Sequence, residues 1–384
     1  MTLEGEIVVK LAWDGRRVGR VDLTSTRPRL ASRILTGKTA AAAAATVPLL
    51  YSICGGAQGA AAASALAAAG AAGFGEDTGK RTAGIIVESL QEGFWHLLIG
   101  WPNAMDSECN VTPVTTARYL IATSTRASDG TDLLGDGAAM RELAAGLSRI
   151  AERALFAMTP ADFLALPDVA ALRAWTARAE TVPARLLGYV LAQAAAPRPC
   201  AVGLMPPPQR AALLDVIVPA LRDDPDFASA PTWAGAPVET GALARMRDHP
   251  AVMDCERSLG RTAATRIVAR MLEIALSLKE LAGEVAPDLI YPPVQGIGLE
   301  AGSGLGVVET ARGLLLHRAR VRDECVVDYQ IVAPTEWNFH PAGVLVQGLS
   351  GIEADDRAAL LRRARLDVHT LDPCVACRVE VADA

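Results

Sequence analysis

The first ordered pattern along the chain is an alternation. Over 6–23 apolar and polar residues exchange places on either side of Asp14-Gly15, which predicts an antiparallel β-hairpin closed by a tight turn. A different pattern follows. Between Lys38 and Glu76 no residue is charged, and Ala and Gly dominate, interrupted by Pro48 and by Gly55-Gly56. This stretch predicts two buried, tightly packed helices separated by a loop at Cys54. Helical spacing returns over 79–98 and 115–125. It is clearest over 138–158, where Leu143, Leu147, Ile150 and Leu155 recur with Arg141, Glu142, Arg149 and Glu152 mostly opposite. Pro160 opens another helix, 171–193 continues helically with a break near Pro183, and the proline-rich 197–208 reads as a loop. One long helix is predicted over 254–281, studded by Arg261, Arg266 and Arg270. Beyond the glycine-bearing 296–306, two short strands are predicted around Arg322-Asp323 within 313–332, then a helix over 355–365. The fold class is α+β, predominantly helical, with an N-terminal β-hairpin, and 1–384 is expected to form a single domain.

Composition narrows the function. Half of the chain is apolar and alanine is abundant, which favours closely packed helices over a β-sandwich. The formal net charge of -6 and the lack of a basic run argue against nucleic acid. The uncharged stretch lacks the run of about 20 strongly apolar residues that a spanning helix needs, so no membrane segment is expected. The first residues resemble neither a signal peptide nor a twin-arginine leader. Seven cysteines, an odd number without paired spacing, do not read as a secreted disulfide framework. A cytoplasmic, reducing location is expected, with any important cysteine a thiol or a metal ligand.

Candidate chemistry concentrates in Cys374-Val375-Ala376-Cys377 near the chain's end. Taken alone, a CxxC is half of a zinc site, a redox pair, or two buried thiols. Other blocks add weight: Arg33-Ile34-Leu35-Thr36-Gly37-Lys38; Ser52-Ile53-Cys54-Gly55-Gly56-Ala57; Glu309-Thr310-Ala311-Arg312-Gly313-Leu314-Leu315-Leu316-His317; Tyr329-Gln330 leading to Pro334-Thr335-Glu336-Trp337-Asn338; and Asp372-Pro373-Cys374 through Cys377. In this order they resemble the signature blocks of the NiFe-hydrogenase large subunit, across positions 33–377. The resemblance implies that family's fold and a site built from cysteine thiolates around nickel and an iron carrying two cyanides and one carbon monoxide. Soft thiolates suit both metals. By this resemblance Cys54, Cys374 and Cys377 match three of the four thiolates. Arg312, with Pro334 and Thr335, matches the wall that hydrogen-bonds the diatomic ligands.

The departures are as informative. Ala57 stands where the second cysteine of the first pair belongs, so one bridging thiolate is missing. Ser32, in Arg29-Leu30-Ala31-Ser32, replaces the family's proton-transferring glutamate; a hydroxyl cannot do that work near neutral pH. Ala61 and Glu380 replace histidines, and with only seven residues after Cys377 no cleavable tail is expected. The resemblance narrows to the HupK/HoxV-type maturation proteins. It implies a non-enzymatic scaffold that transiently holds the iron unit Fe(CN)2(CO) for transfer to the large subunit, with no nickel. The implied partners are a HypC-type small chaperone, a HypD-type iron–sulfur protein and the large-subunit precursor. Two alternatives stay open: a metal-free docking shell that mimics the large subunit, and an atypical hydrogenase subunit carrying nickel.

The remaining candidates get plainer expectations. Cys109, Cys200, Cys255 and Cys325 are expected as small buried hydrophobes. His96, His249 and His340 are expected to be structural, and His317 to support the site without ligating. His369 is close enough in sequence to reach it. Asp372-Pro373 should shape the turn that presents Cys374, Asp372 accepting local N–H groups. The long-helix arginines should be solvated or paired. The reading requires Cys54 to meet the terminal pair beside Arg312.

Overall fold

The computed structural model describes residues 5–27, 30–51, 53–75, 77–193, 198–286 and 289–383. Arg29 of the serine-bearing tetrapeptide, Ser52 of the first cysteine block and Pro197 lie outside the described residues.

The alternating N-terminal segment forms the expected hairpin, β1 (Glu6–Trp13) and β2 (Val18–Ser25), paired antiparallel. Its turn is closed by Asp14, whose Oδ1 accepts the N–H groups of Arg16 and Arg17. The uncharged stretch forms α1 (Ala40–Leu50) and α2 (Gly55–Ala68), with Cys54 as the N-cap of α2. The two helices differ in burial. Most of α2 is inside, whereas α1 buries only Ala40, Ala43 and Val47 and leaves Ala41, Ala42, Ala45 and Leu49 exposed. No described helix is long and apolar enough to cross a membrane.

Asp77 caps α3 (Thr78–Trp95), accepting the Lys80 N–H, and the helix runs into a wider π-turn over His96–Gly100. The amphipathic segment becomes α4 (Gly137–Ala151), with Leu143 and Leu147 fully buried. The single helix expected over 254–281 is two, α5 (Pro250–Leu259) and α6 (Ala263–Leu281). Gly260 breaks them at φ 73°, a conformation open mainly to glycine. Apolar periodicity runs across the break, which is why the pattern did not reveal it. Arg266 and Arg270 are buried and paired.

The glycine-bearing region proves to be sheet. β3 (Gln295–Gly298), β4 (Ser303–Thr310), β5 (Gly313–Arg322) and β6 (Cys325–Val332) form an antiparallel sheet in sequential order. β4 is buried along its whole length because α2 lies across it. That contact depends on glycine: a Cβ on Gly304 or Gly306 would overlap the carbonyl oxygens of Ala65 and Ala61. Alanine on the helix and glycine on the strand therefore bring the two backbones together. After α7 (Pro334–Asn338) and α8 (Arg357–Thr370), longer than its expected 355–365, comes β7 (Ala376–Asp383). β7 lies parallel to β1, with Cys377 opposite Ile7, so the chain's two ends share one sheet.

Candidate metal centre

Three separate elements converge on the site. Cys54 sits at the start of α2, Pro334 and Thr335 open α7, and Cys374 follows the turn that leaves α8. That turn is shaped by Asp372 at φ 59°, a left-handed conformation that Asp tolerates better than most residues. Two bonds lock it against α7. The Cys374 N–H donates to Thr335 Oγ1 at 3.2 Å, and Asn338 Nδ2 donates to the Leu371 carbonyl at 3.3 Å.

The Cys54 and Cys374 side chains lie close enough to shift each other's titration, although 320 positions separate them. The neighbouring Cys374 and then burial push the Cys54 thiol well up. Cys374 is held down at about 6, first by the neighbouring Cys54 thiol. Arg312, Arg27 and the Thr335 hydroxyl add to this, against burial. One thiol is thus pushed up and the other held down. Cys377 is half-buried and pushed up to about 12 by burial, and then by the nearby charge of Cys374. Among the described residues no three His, Cys, Asp or Glu side chains form a group able to hold a metal ion. The close unit is the Cys54–Cys374 pair, with Cys377 within electrostatic reach.

Arg312 is buried, and its charge acts on both Cys54 and Cys374. Its Nη2 reaches Glu92 Oε2 at 2.8 Å, and its Nε lies 3.2 Å from Asp372 Oδ1. Asp372 departs from its expected role. Its carboxylate takes distant side chains instead of local N–H groups: His96 Nε2 at 2.8 Å and Arg270 Nη2 at 3.2 Å, besides Arg312. Arg312 foremost, with His96 and Arg270, holds its carboxyl far below the usual range although burial works the other way. The network runs on from Arg270 to Glu273, Arg245 and Glu309, with both glutamates buried.

His317 lies behind Cys54, linked to it through Gln58. Fully buried, it is pushed down to about 3 by desolvation and is neutral. Its Nδ1 lies 2.7 Å from Tyr329 Oη and its Nε2 lies 2.9 Å from Gln58 Oε1, while Gln58 Nε2 is 3.7 Å from Cys54 Sγ. One assignment satisfies every group: Tyr329 donates to Nδ1, Nε2–H donates to Gln58, and Gln58 donates to the sulfur. The chain orients Gln58 and so fixes Cys54 from behind.

That neutrality has a testable consequence. The folded-state pKa of His317 lies below the unfolded value near 6.5, so the unfolded chain takes up the proton first. Its contribution is complete above pH 6.5 and is lost as pH falls toward 3, by up to about 1.4 kcal/mol per pH unit. Urea unfolding between pH 7 and 4.5 should show a shallower decline for His317→Gln than for the unaltered chain. Equal slopes would refute the assignment.

Several site residues escaped the sequence reading. Arg27, after β2, pairs with Glu336 Oε1 at 2.7 Å and places a second guanidinium near Cys374 and Cys54. Nothing around it in the sequence signals this. Glu336 was visible as the one charge inside an otherwise uncharged block. Glu88 and Glu92, four apart on α3, were visible as two carboxylates on one face of an amphipathic helix. Glu88 Oε2 accepts the Gly56 N–H at 2.8 Å and its Oε1 accepts the Ala57 N–H at 3.4 Å. Burial pushes its carboxyl up to about 7. His369 is half-buried and close enough to Asp372 to feel its charge. Of the other cysteines only Cys255 is buried; Cys109, Cys200 and Cys325 are half-buried. A cavity of about 380 Å3 beside Arg198, Gly260 and Arg363 is lined by none of the thiol-site residues.

Comparison with known proteins places the chain. Residues 250–380 match the nickel-dependent hydrogenase family. The chain is 31% identical over 383 residues to the hydrogenase expression/formation protein HoxV of Cupriavidus necator, covering 96% of this chain and 95% of that protein. It is 31% identical over 392 residues to the hydrogenase expression/formation protein HupK of Azotobacter vinelandii, covering 100% of both. A variant of the NiFeSe hydrogenase from Desulfovibrio vulgaris Hildenborough aligns with TM-score 0.59 at 16% identity, over 97% of this chain and 99% of that one. With the hydrogenase large-subunit fold and this full-length similarity, the chain belongs to the HupK/HoxV family of hydrogenase expression/formation proteins.

Proposed function

We propose that the chain is a cytoplasmic, non-enzymatic scaffold of hydrogenase maturation that transiently holds the Fe(CN)2(CO) unit before transfer to the large-subunit precursor. The observation that carries this is the meeting of Cys54 with Cys374 beside Arg312 and Thr335. A soft thiolate and a second sulfur suit low-spin iron. Arg312 and Thr335 stand beside the pair as donors for cyanide nitrogens, and Cys377 would have to move closer to add a third sulfur. Ala57 and Ser32, in place of a bridging thiolate and a proton-carrying carboxylate, favour holding over turnover. Nickel is not part of this reading. The cargo would arrive through a HypC-type chaperone and a HypD-type iron–sulfur partner.

Infrared spectra of the protein co-produced with its maturation partners should show cyanide and carbonyl stretches, and Cys374→Ala should abolish them. A well-folded preparation without such bands overturns the carrier role. One observation favours a second reading, a docking shell that mimics the large subunit: among the described residues no three side chains group as a ligand set. In that case the triple variant Cys54→Ala, Cys374→Ala, Cys377→Ala would keep full maturation activity, which the carrier reading forbids.

A further inference from the structure

The cavity beside Gly260 lies between the start of α6 and one face of α8, apart from the thiol site. At about 380 Å3 it falls in the usual range of small-molecule sites, roughly 300–1,000 Å3. Part of its wall is apolar and closed, since Leu259, Val344, Leu345 and Leu366 are all buried. The rest carries positive charge from three separate sources.

The first is the backbone. Thr262, Ala263 and Ala264 line the cavity at the start of α6, a helix of 19 residues. Thr262, at the N-cap, makes no side-chain cap bond, and the first turn holds no acidic residue. The positive end of the helix dipole is thus left to the cavity. The second source is Arg266, which also lines the cavity and is only 5% exposed. Its Nε and Nη2 clasp the Glu239 carboxylate at 2.7 and 3.1 Å, which uses one edge of the planar guanidinium. Nη1, on the other edge, has no acceptor among the described residues. The third is Arg362 on α8, half-buried and without an ion pair among the described residues. Ala359, Arg363 and Leu366 accompany it at helical spacing along the cavity wall.

Acidic groups answer only part of this charge. Asp367 belongs to the inner wall, but Arg363 meets it at 3.7 Å and the Ala263 N–H bonds to it. Asp355 and Asp356 are exposed, and Asp356 already caps α8 by accepting the Ala359 N–H.

We infer that this cavity binds a small organic anion, a phosphate or carboxylate group on an apolar body. Its head group would take the α6 N-terminus, Arg266 and Arg362, while its body would cover the buried leucines. A buried guanidinium with an unbonded edge is costly until an acceptor meets it. The apolar wall beside it favours an organic partner over a bare ion. The inference does not rest on the carrier reading, because the two sites share no residue.

Calorimetric titration of the purified full chain with phenyl phosphate and with benzoate tests this. At least one of the two should bind saturably at a single site. Inorganic phosphate should bind at least tenfold more weakly, and phenol not at all. Arg362→Gln should weaken the binding about tenfold, the worth of one charge-assisted hydrogen bond. Ala359→Phe removes no charge but fills the cavity, and it should abolish binding. Arg365→Gln takes the same charge from the exposed side of α8 and should change nothing. Thermal unfolding checks that each variant is folded. The absence of saturable binding by both probes overturns the inference, as does inorganic phosphate binding as tightly as they do. An equal loss in Arg362→Gln and Arg365→Gln, the mark of diffuse attraction, overturns it too, and so does full binding by a folded Ala359→Phe.

Discussion

Asp372→Ala should destabilise the fold by about 3–5 kcal/mol, the usual cost of removing one partner from a buried ion pair. Asp372 is 4% exposed and takes Arg312, Arg270 and His96 together. Without it the two guanidiniums keep only what lies on their other side: Glu92 for Arg312 and Glu273 for Arg270. Neither can turn to water, because both guanidiniums are about 95% buried. Asp372→Asn should cost less, since an amide oxygen still accepts one of the bonds. Urea unfolding of the two variants gives the comparison. A loss below about 1 kcal/mol for the alanine variant would mean that the network does not hold the turn. The same substitution should also disturb the site, because Asp372 sets both the position of Arg312 and the turn two residues before Cys374.

This dual role shows where sequence reasoning ended. Cys54, Cys374, Arg312 and Thr335 were legible because each lies in a short local block whose residue types serve one chemistry. Their meeting in space was legible only through resemblance to a known fold. What the residue types did not disclose was how they are held. Asp372 was read as a local turn former because the turn is what its neighbour Pro373 advertises; its partners come from 60 to 276 positions away. Arg27 was missed for the same reason, its partner Glu336 being 309 positions distant.

Backbone elements divide along the same line. The N-terminal hairpin was readable because alternation and an Asp-Gly turn are local signals. β7 was not, because its partner β1 lies 370 positions away, Glu6 standing opposite Ala376. β3 and β4 were obscured by Gly296, Gly298, Gly304 and Gly306, which erase the alternation that marks a strand. Those glycines are there for α2, whose alanines had been recognised without the surface they pack on.

That close approach leads to the second large effect. Gly306→Val should cost about 3 kcal/mol, at or above the upper end for overpacking, because the new side chain meets backbone, not a flexible neighbour. Ala61, whose carbonyl it would strike, is fully buried in the middle of α2, so the helix can yield only by lifting off β4. Lifting α2 moves its first residues, and Cys54 is the N-cap. The variant should therefore show a lower melting temperature together with a separated Cys54–Cys374 pair. Loss of the neighbouring Cys54 thiol would let the Cys374 thiol drift up from about 6, and its alkylation rate near neutral pH should fall. Gly348→Val provides the contrast, since nothing lies within 4 Å of a Cβ there, and it should leave the thiol untouched. If Gly306→Val melts normally and Cys374 alkylates at its usual rate, helix and strand are not packed backbone to backbone, and the placement of Cys54 must have another cause.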